Sequence, residues 1–226
     1  MIATLSLDDL CKYTSRQLNY LFPDYEVVDL LMNKATVALA LDRLEYCFQK
    51  VSLKHYFDGK EVKFNHLYSD HYVMFLWFLS NSIWTEKGNC SLVNKIYYLN
   101  KSLNGLDCMY DTKMPDVFLI FHGSGTMLGK ANYSNYFIAL QGCTVGSQNG
   151  EYPVFGIGAS LTANSSVIGK CSIGDRSTIG TRTLIFQKDI PNDTAAIVDF
   201  SDGKLNYRKS NKCYAQRFFN VDLKNI

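Results

Sequence analysis

Apolar residues recur along the chain with two different periods. Over residues 1–105 the spacing is helical. In EVVDLLMNKATVALALDRLEYCFQKV, the positions Val27, Leu30, Leu31, Lys34 and Val37 start a face that Leu41, Leu44 and Phe48 continue, which predicts a helix. YSDHYVMFLWFLSNSIW and SLVNKIYYLNKSL predict two more, the second with Ser91 as its N-cap. The first of this pair is apolar nearly all round, so burial between neighbours is expected.

From about residue 106 glycine, threonine and β-branched residues take over and the period becomes six. Phe155, Leu161, Val167, Ile173, Ile179 and Ile185 form an unbroken apolar series, and four positions after them stand Ala159, Ser165, Cys171, Ser177 and Thr183, all small. A large apolar residue every six with a small one four later is the signature of a hexapeptide parallel β-helix. The large side chain fills a three-sided prism, and the small one fits where the chain bends. Ordinary antiparallel strands alternate with period two and do not repeat at six. Upstream, Val145, Ala139 and Tyr133 keep the step, but the walk must skip from Val145 to Phe155. The surplus, GSQNGEYP, predicts a loop leaving the prism between two coils, and such loops on repeat scaffolds often carry function.

Composition narrows the classes. The chain has 226 residues, 47% hydrophobic and 14% aromatic, with 23 basic against 21 acidic side chains and a net charge of +2. That balance argues against disorder and against an electrostatic footprint for nucleic acid or membrane surfaces. Cys11, Cys47, Cys90, Cys108, Cys143, Cys171 and Cys213 lack the paired short spacings of a zinc site, so free buried thiols in a reducing cytoplasm are expected. MIATLSLDDL shows no secretory pattern and the longest apolar run, Tyr72–Leu79, is too short to span a bilayer, so a soluble cytoplasmic protein is expected.

The chemistry concentrates in FHGSGTMLG, residues 121–129. Taken alone, His122 there can be a turn histidine, and Asp107 in GLDCMY a loop or cap residue. Together with the hexads and the excursion loop, however, HGSGTMLG, LQGCTVGS and IGTRTLIFQKDIP make the chain resemble the serine acetyltransferases of the hexapeptide-repeat acyltransferase superfamily. The resemblance covers roughly residues 100–191 well and 58–100 weakly. It implies an α+β chain: an α-helical domain over 1–105, then a left-handed β-helix acyltransferase domain over 106–191 with an excursion loop at 146–154, and a tail over 192–226. It also implies acetyl-CoA as co-substrate, no metal, and His122 as the general base that takes the proton from an acceptor hydroxyl, with Asp107 orienting it as in a triad.

Along one prism edge the resemblance places Gly146, Ser147, Ala163 and Thr181 against the pantetheine chain. Lys170 and Lys188, eighteen residues apart, should stack and meet CoA phosphates, although a solvated turn charge is the alternative for each. The superfamily closes its open sites by trimerising, which implies a homotrimer here. A hexamer through the N-terminal helices would follow if residues 1–57 matched the family.

Two departures bear on the acceptor. Serine enzymes carry an aspartate directly before the catalytic histidine, where this chain has Phe121. They also carry Arg-His before the proline that ends the loop, where it has Glu151 and Tyr152. A zwitterion would meet an apolar ring, a phenol and a repelling carboxylate, a costly place for an unpaired charge. Phe121, Glu151 and Tyr152 suit a sugar better, through ring stacking and hydroxyl hydrogen bonds, with loop packing as the alternative.

The expected function is therefore an acetyl-CoA-dependent O-acetyltransferase acting on a sugar hydroxyl, for example in capsule or O-antigen polysaccharide. Alternatives are a serine O-acetyltransferase with an altered pocket, an amino-sugar N-acetyltransferase, and a non-catalytic hexapeptide scaffold. A gamma-class carbonic anhydrase needs three zinc histidines, and His122 is the one histidine after residue 71.

Overall fold

The computed structural model describes residues 1–226. Four helices come first: α1 (Leu7–Leu21), α2 (Lys34–Phe48), α3 (Ser69–Lys87) and α4 (Ser91–Asn104). A parallel β-solenoid of about four turns follows. Ser6 caps α1 by accepting the Asp9 N–H, with Asp8 and Asp9 in the first turn, where the helix dipole favours acidic groups.

The helix expected from Glu26 begins only at Lys34. The Asp29 carboxylate accepts the Leu31 N–H at 3.0 Å, which diverts the chain into a short 3-10 turn over Leu30–Asn33 and leaves Val27 exposed. The N-cap of α4 is Cys90 rather than Ser91: Cys90 is extended and its carbonyl accepts from Asn94, so Ser91 is already helical.

Helix α3 is buried on every face, as its apolar sequence requires, and it joins the two halves. It packs on α2 and α4. Trp77 and Phe78 hold the Phe118 ring at 5.1 and 5.5 Å, at the entry to the first solenoid strand. The N-terminus of α3 is thereby fixed beside the first coil.

In the solenoid the hexad residues stack in three columns. Leu128, Val145, Val167 and Ile185 form one, and Tyr133, Phe155, Ile173 and Ile190 the second. Ile120, Ala139, Leu161, Ile179 and Ala196 form the third. All six residues of the predicted apolar series are at most 1% exposed, and their small companions at most 2%. Burying each such aliphatic side chain stabilises the fold by roughly 1.5–3 kcal/mol.

Residues beyond Pro191 are built into the fold. Thr194–Val198 adds a parallel strand on Thr178–Ile179 and then turns back as a hairpin with Leu205–Lys209. The chain next crosses to the helices, where Phe219 pairs with Val51 and Phe218 lies 5.2 Å from the Phe121 ring. The C-terminal segment thus straps the first coil to the segment following α2.

Candidate active site

The solenoid corners are made by residues in the left-handed region. Gly125, Gly142, Asn164 and Arg182 occupy one corner, with φ of 72°, 67°, 59° and 57°. In three coils the corner comes three positions after the column residue: Ala139 to Gly142, Leu161 to Asn164, Ile179 to Arg182. In the first coil it comes five positions after Ile120, at Gly125. The two surplus residues form a bulge that lifts His122 off the prism wall, with φ 56° and a side chain 58% exposed. A β-carbon at Gly123 would lie 2.5 Å from Ile120 Cγ2, so the bulge closes only over glycine.

Asp70, in the first turn of α3, faces the bulge. Its Oδ1 accepts the His122 backbone N–H at 3.0 Å, and its Oδ2 lies 3.2 Å from His122 Nδ1. Asp70 is 3% exposed, and its Oδ2 is buried without an aligned hydrogen bond, the Nδ1 contact included. Burial pushes the Asp70 carboxyl above the usual carboxylate range, only partly countered by the charge and the N–H of His122.

Asp107 stands elsewhere in the network. Its backbone bridges to Met127, and its carboxylate accepts from Tyr97 Oη at 2.6 Å and Lys101 Nζ at 2.7 Å. Tyr97 and Lys101 are one turn apart on α4 and converge on it from the same face. Burial acts to raise its pKa, but these two donors outweigh it and hold Asp107 below the usual range. The carboxylate that meets the imidazole is therefore Asp70, where the resemblance implied Asp107. Asp70 has one signal in the sequence: it is the charged residue inside an otherwise apolar helix, LYSDHYVMFLWFL.

The His122 imidazole opens on a pocket of about 460 Å³, in which Ser69, Ser102, Asn104 and Ser124 supply the polar lining beside Asp70. No lysine or arginine lines it. Phe121 is not among the lining residues; its ring lies 4.0 Å from the imidazole and 5.2 Å from the Phe218 ring.

Tyr152 and Glu151 are not brought to this pocket. The excursion turns on itself, Gln148 and Glu151 exchanging backbone hydrogen bonds. Tyr152, 47% exposed, lines a separate pocket of 470 Å³ with Trp84, Asp111, Lys130 and Asn132. Lys130 pairs there with Asp111 at 3.1 Å.

Of the residues expected against CoA, Gly146 pairs with Ile168 on one face, and Ala163 and Thr181 lie at the corner where Arg182 N–H bonds the Ala163 carbonyl. Ser147 and Thr181 are exposed. Lys170 and Lys188 follow the corner residues Gly169 and Gln187 and are both exposed. Arg176, by contrast, is committed to Asp193 through two hydrogen bonds of 2.7 and 3.0 Å. All seven cysteines are free. No group of three or more histidine, cysteine or acidic side chains is placed to hold a metal, and no helix is long and apolar enough to cross a membrane.

No protein-family model matches the sequence, and no curated protein does. Solved structures do match. The serine acetyltransferase of Neisseria gonorrhoeae superposes with a TM-score of 0.67 at 16% identity, covering 96% of this chain and 86% of its own. The chain has the fold of the serine acetyltransferases. The enzyme from Brucella abortus strain S19 gives 0.65 at 16% identity over 92% and 86% of the two chains. A serine acetyltransferase in complex with CoA gives 0.64 at 15% identity over 85% and 82%. At such identities the shared property is the serine acetyltransferase architecture, helices and solenoid together.

Proposed function

We propose that this chain is an acetyl-CoA-dependent O-acetyltransferase whose acceptor is a sugar hydroxyl, in a polysaccharide such as capsule or O-antigen. His122 Nε2 takes the acceptor's proton as its oxygen attacks the thioester carbonyl carbon. The tetrahedral oxyanion then collapses, the C–S bond breaks, and CoA thiolate leaves and is protonated. The Gly123 N–H, which has no acceptor within the chain, is available to that oxyanion. CoA would lie along Gly146, Ser147, Ala163 and Thr181, with its phosphates toward Lys170 and Lys188. Acetyl-CoA as donor fits a cytoplasmic reaction.

The observation that carries the reading is the pocket around His122, whose lining adds hydroxyl and amide side chains to the Asp70 carboxylate and includes no lysine or arginine. A polyol can exchange hydrogen bonds with every one of these groups, whereas the carboxylate of free serine would enter unpaired. Serine remains the second reading, because the fold likeness is to serine acetyltransferases. The deciding experiment follows thiol release from acetyl-CoA with purified polysaccharide, with a nucleotide amino sugar and with serine. Turnover on polysaccharide with background rates on serine supports the sugar reading, and turnover on serine at millimolar KM overturns it.

The same reading includes a homotrimer. Within one chain Tyr152 and His122 line separate pockets, and Leu184 and Phe186, 59% and 48% exposed, leave one solenoid face apolar. Neighbouring prisms that bury this face would bring Tyr152 and Glu151 of one copy toward Phe121 and His122 of the next. Light scattering should give three times the chain mass for the wild type and a smaller particle for Leu184→Glu with Phe186→Glu. A monomeric wild type ends this part of the reading.

A further inference from the structure

We infer that Asp70, rather than Asp107, is the positioning residue that sets the tautomer and orientation of the His122 imidazole. The inference rests on the reading of His122 as general base. A base must present an unprotonated Nε2 to the acceptor hydroxyl, so its single neutral-state proton has to sit on Nδ1. A carboxylate accepts and cannot donate, so the buried Asp70 Oδ2, which has no hydrogen-bond donor of its own and lies 3.2 Å from Nδ1, favours a proton at that nitrogen.

The second contact fixes the geometry. Asp70 Oδ1 accepts the backbone N–H of His122, so one carboxylate grips both the main chain and the ring of a residue held at φ 56°. That backbone conformation is uncommon outside glycine and asparagine, and the two surplus residues of the bulge have no neighbouring coil to hold them in register. Asp70 supplies the missing support from a rigid source, the first turn of a 19-residue helix that is buried over most of its length, from Asp70 to Ile83. Asp107 does not take this role: its carboxylate is turned to Tyr97 and Lys101 on α4 and makes no hydrogen bond or ion pair with the imidazole. Phe121 presents no polar group to the ring at all.

Asp70→Asn tests this with minimal change of shape. The amide oxygen can keep the backbone N–H, which turns the NH2 toward Nδ1 and reverses the hydrogen-bond polarity there. The titratable groups facing Asp70 are His122, His55, Tyr68 and Tyr56, so both histidines must be followed. Nitrogen-15 NMR of histidine-labelled protein reads the tautomer of all four histidines without any acceptor. The expected result is a predominantly Nδ1–H His122 in the wild type and in Asp107→Asn, and a shift to Nε2–H in Asp70→Asn. An unchanged tautomer in Asp70→Asn, or a switched one in Asp107→Asn, overturns the inference. On whichever acceptor supports turnover, Asp70→Asn should lower kcat at least about a hundredfold with little change in the KM for acetyl-CoA. Failure to find any acceptor would count against the function and leave the tautomer result standing.

Discussion

Val145 lies directly over Val167, and Val167 directly over Ile185, although twenty-two residues separate the first pair and eighteen the second. The four extra residues of the upper coil are absorbed by a turn that closes on itself through the Gln148 and Glu151 backbone pair, leaving the column of side chains undisturbed. Deleting residues 148–151 should therefore restore the regular repeat. Changing a loop by this much alters closure entropy by roughly 0.6 kcal/mol or less, so thermal melting should be nearly unchanged. Loss of cooperative melting would show that the turn organises the coil rather than decorating it.

The solenoid was readable because each coil repeats one constraint, a large residue inward and a small one at the bend, so chance agreement becomes improbable after a few hexads. The site was readable only in part. His122 lies in a contiguous motif, but its carboxylate comes from Asp70, fifty-two positions away on another element, a pairing that no local pattern encodes. The opening helices were harder still, because the buried face of α1, Leu10, Cys11, Thr14, Ser15 and Leu18, keeps helical spacing but mixes apolar with hydroxyl residues, and Asp29 overrides the apolar pattern around Leu30. The C-terminal strap has no repeat, and its role emerges from contacts with Val51, Phe121 and Tyr136.

Asp70 should cost the protein stability while serving the imidazole. Its pKa is raised in the fold, so the favourable contribution belongs to the protonated form. That contribution is complete below the unfolded value of about 3.9 and is lost as pH rises through the folded value. At neutral pH the ionised carboxylate therefore opposes folding, and Asp70→Asn should melt at the same or a higher temperature than the wild type. The advantage of the variant should shrink as the pH is lowered toward the carboxylate range. A melting temperature well below wild type at pH 7 would mean that the two-point grip on His122 outweighs the burial penalty.

Asp107 should show the opposite sign. Its pKa is lowered by Lys101 and Tyr97 against the opposing effect of burial. The resulting stability is present above the ordinary carboxylate value of about 3.9 and disappears as pH falls through the depressed folded value. Asp107→Asn should thus lower stability at neutral pH by about 1 kcal/mol or less, since Lys101 is 46% exposed and the pair is screened. Denaturant melts of the two proteins should converge in acid. A deficit that persists undiminished below that range would assign the loss to packing rather than to the ion pair.

The bulge itself can be tested at Gly123. A β-carbon there would stand 2.5 Å from Ile120 Cγ2, and Ile120 is fully buried over Ala139, so it cannot swing aside. The strain in Gly123→Ala must then be relieved by the bulge, which carries His122 one residue away. Overpacking of this kind typically costs about 1–3 kcal/mol, small enough to leave a folded solenoid but large enough to move the imidazole from Asp70. The variant should melt cooperatively at a reduced temperature and lose the Nδ1–H signal of His122. Removing the obstructing methyl in the double variant Gly123→Ala with Ile120→Ala should restore part of that signal, even though Ile120→Ala alone leaves a cavity costing about 2–5 kcal/mol. If the double variant restores nothing, the clash at Cγ2 is not what couples Gly123 to the histidine.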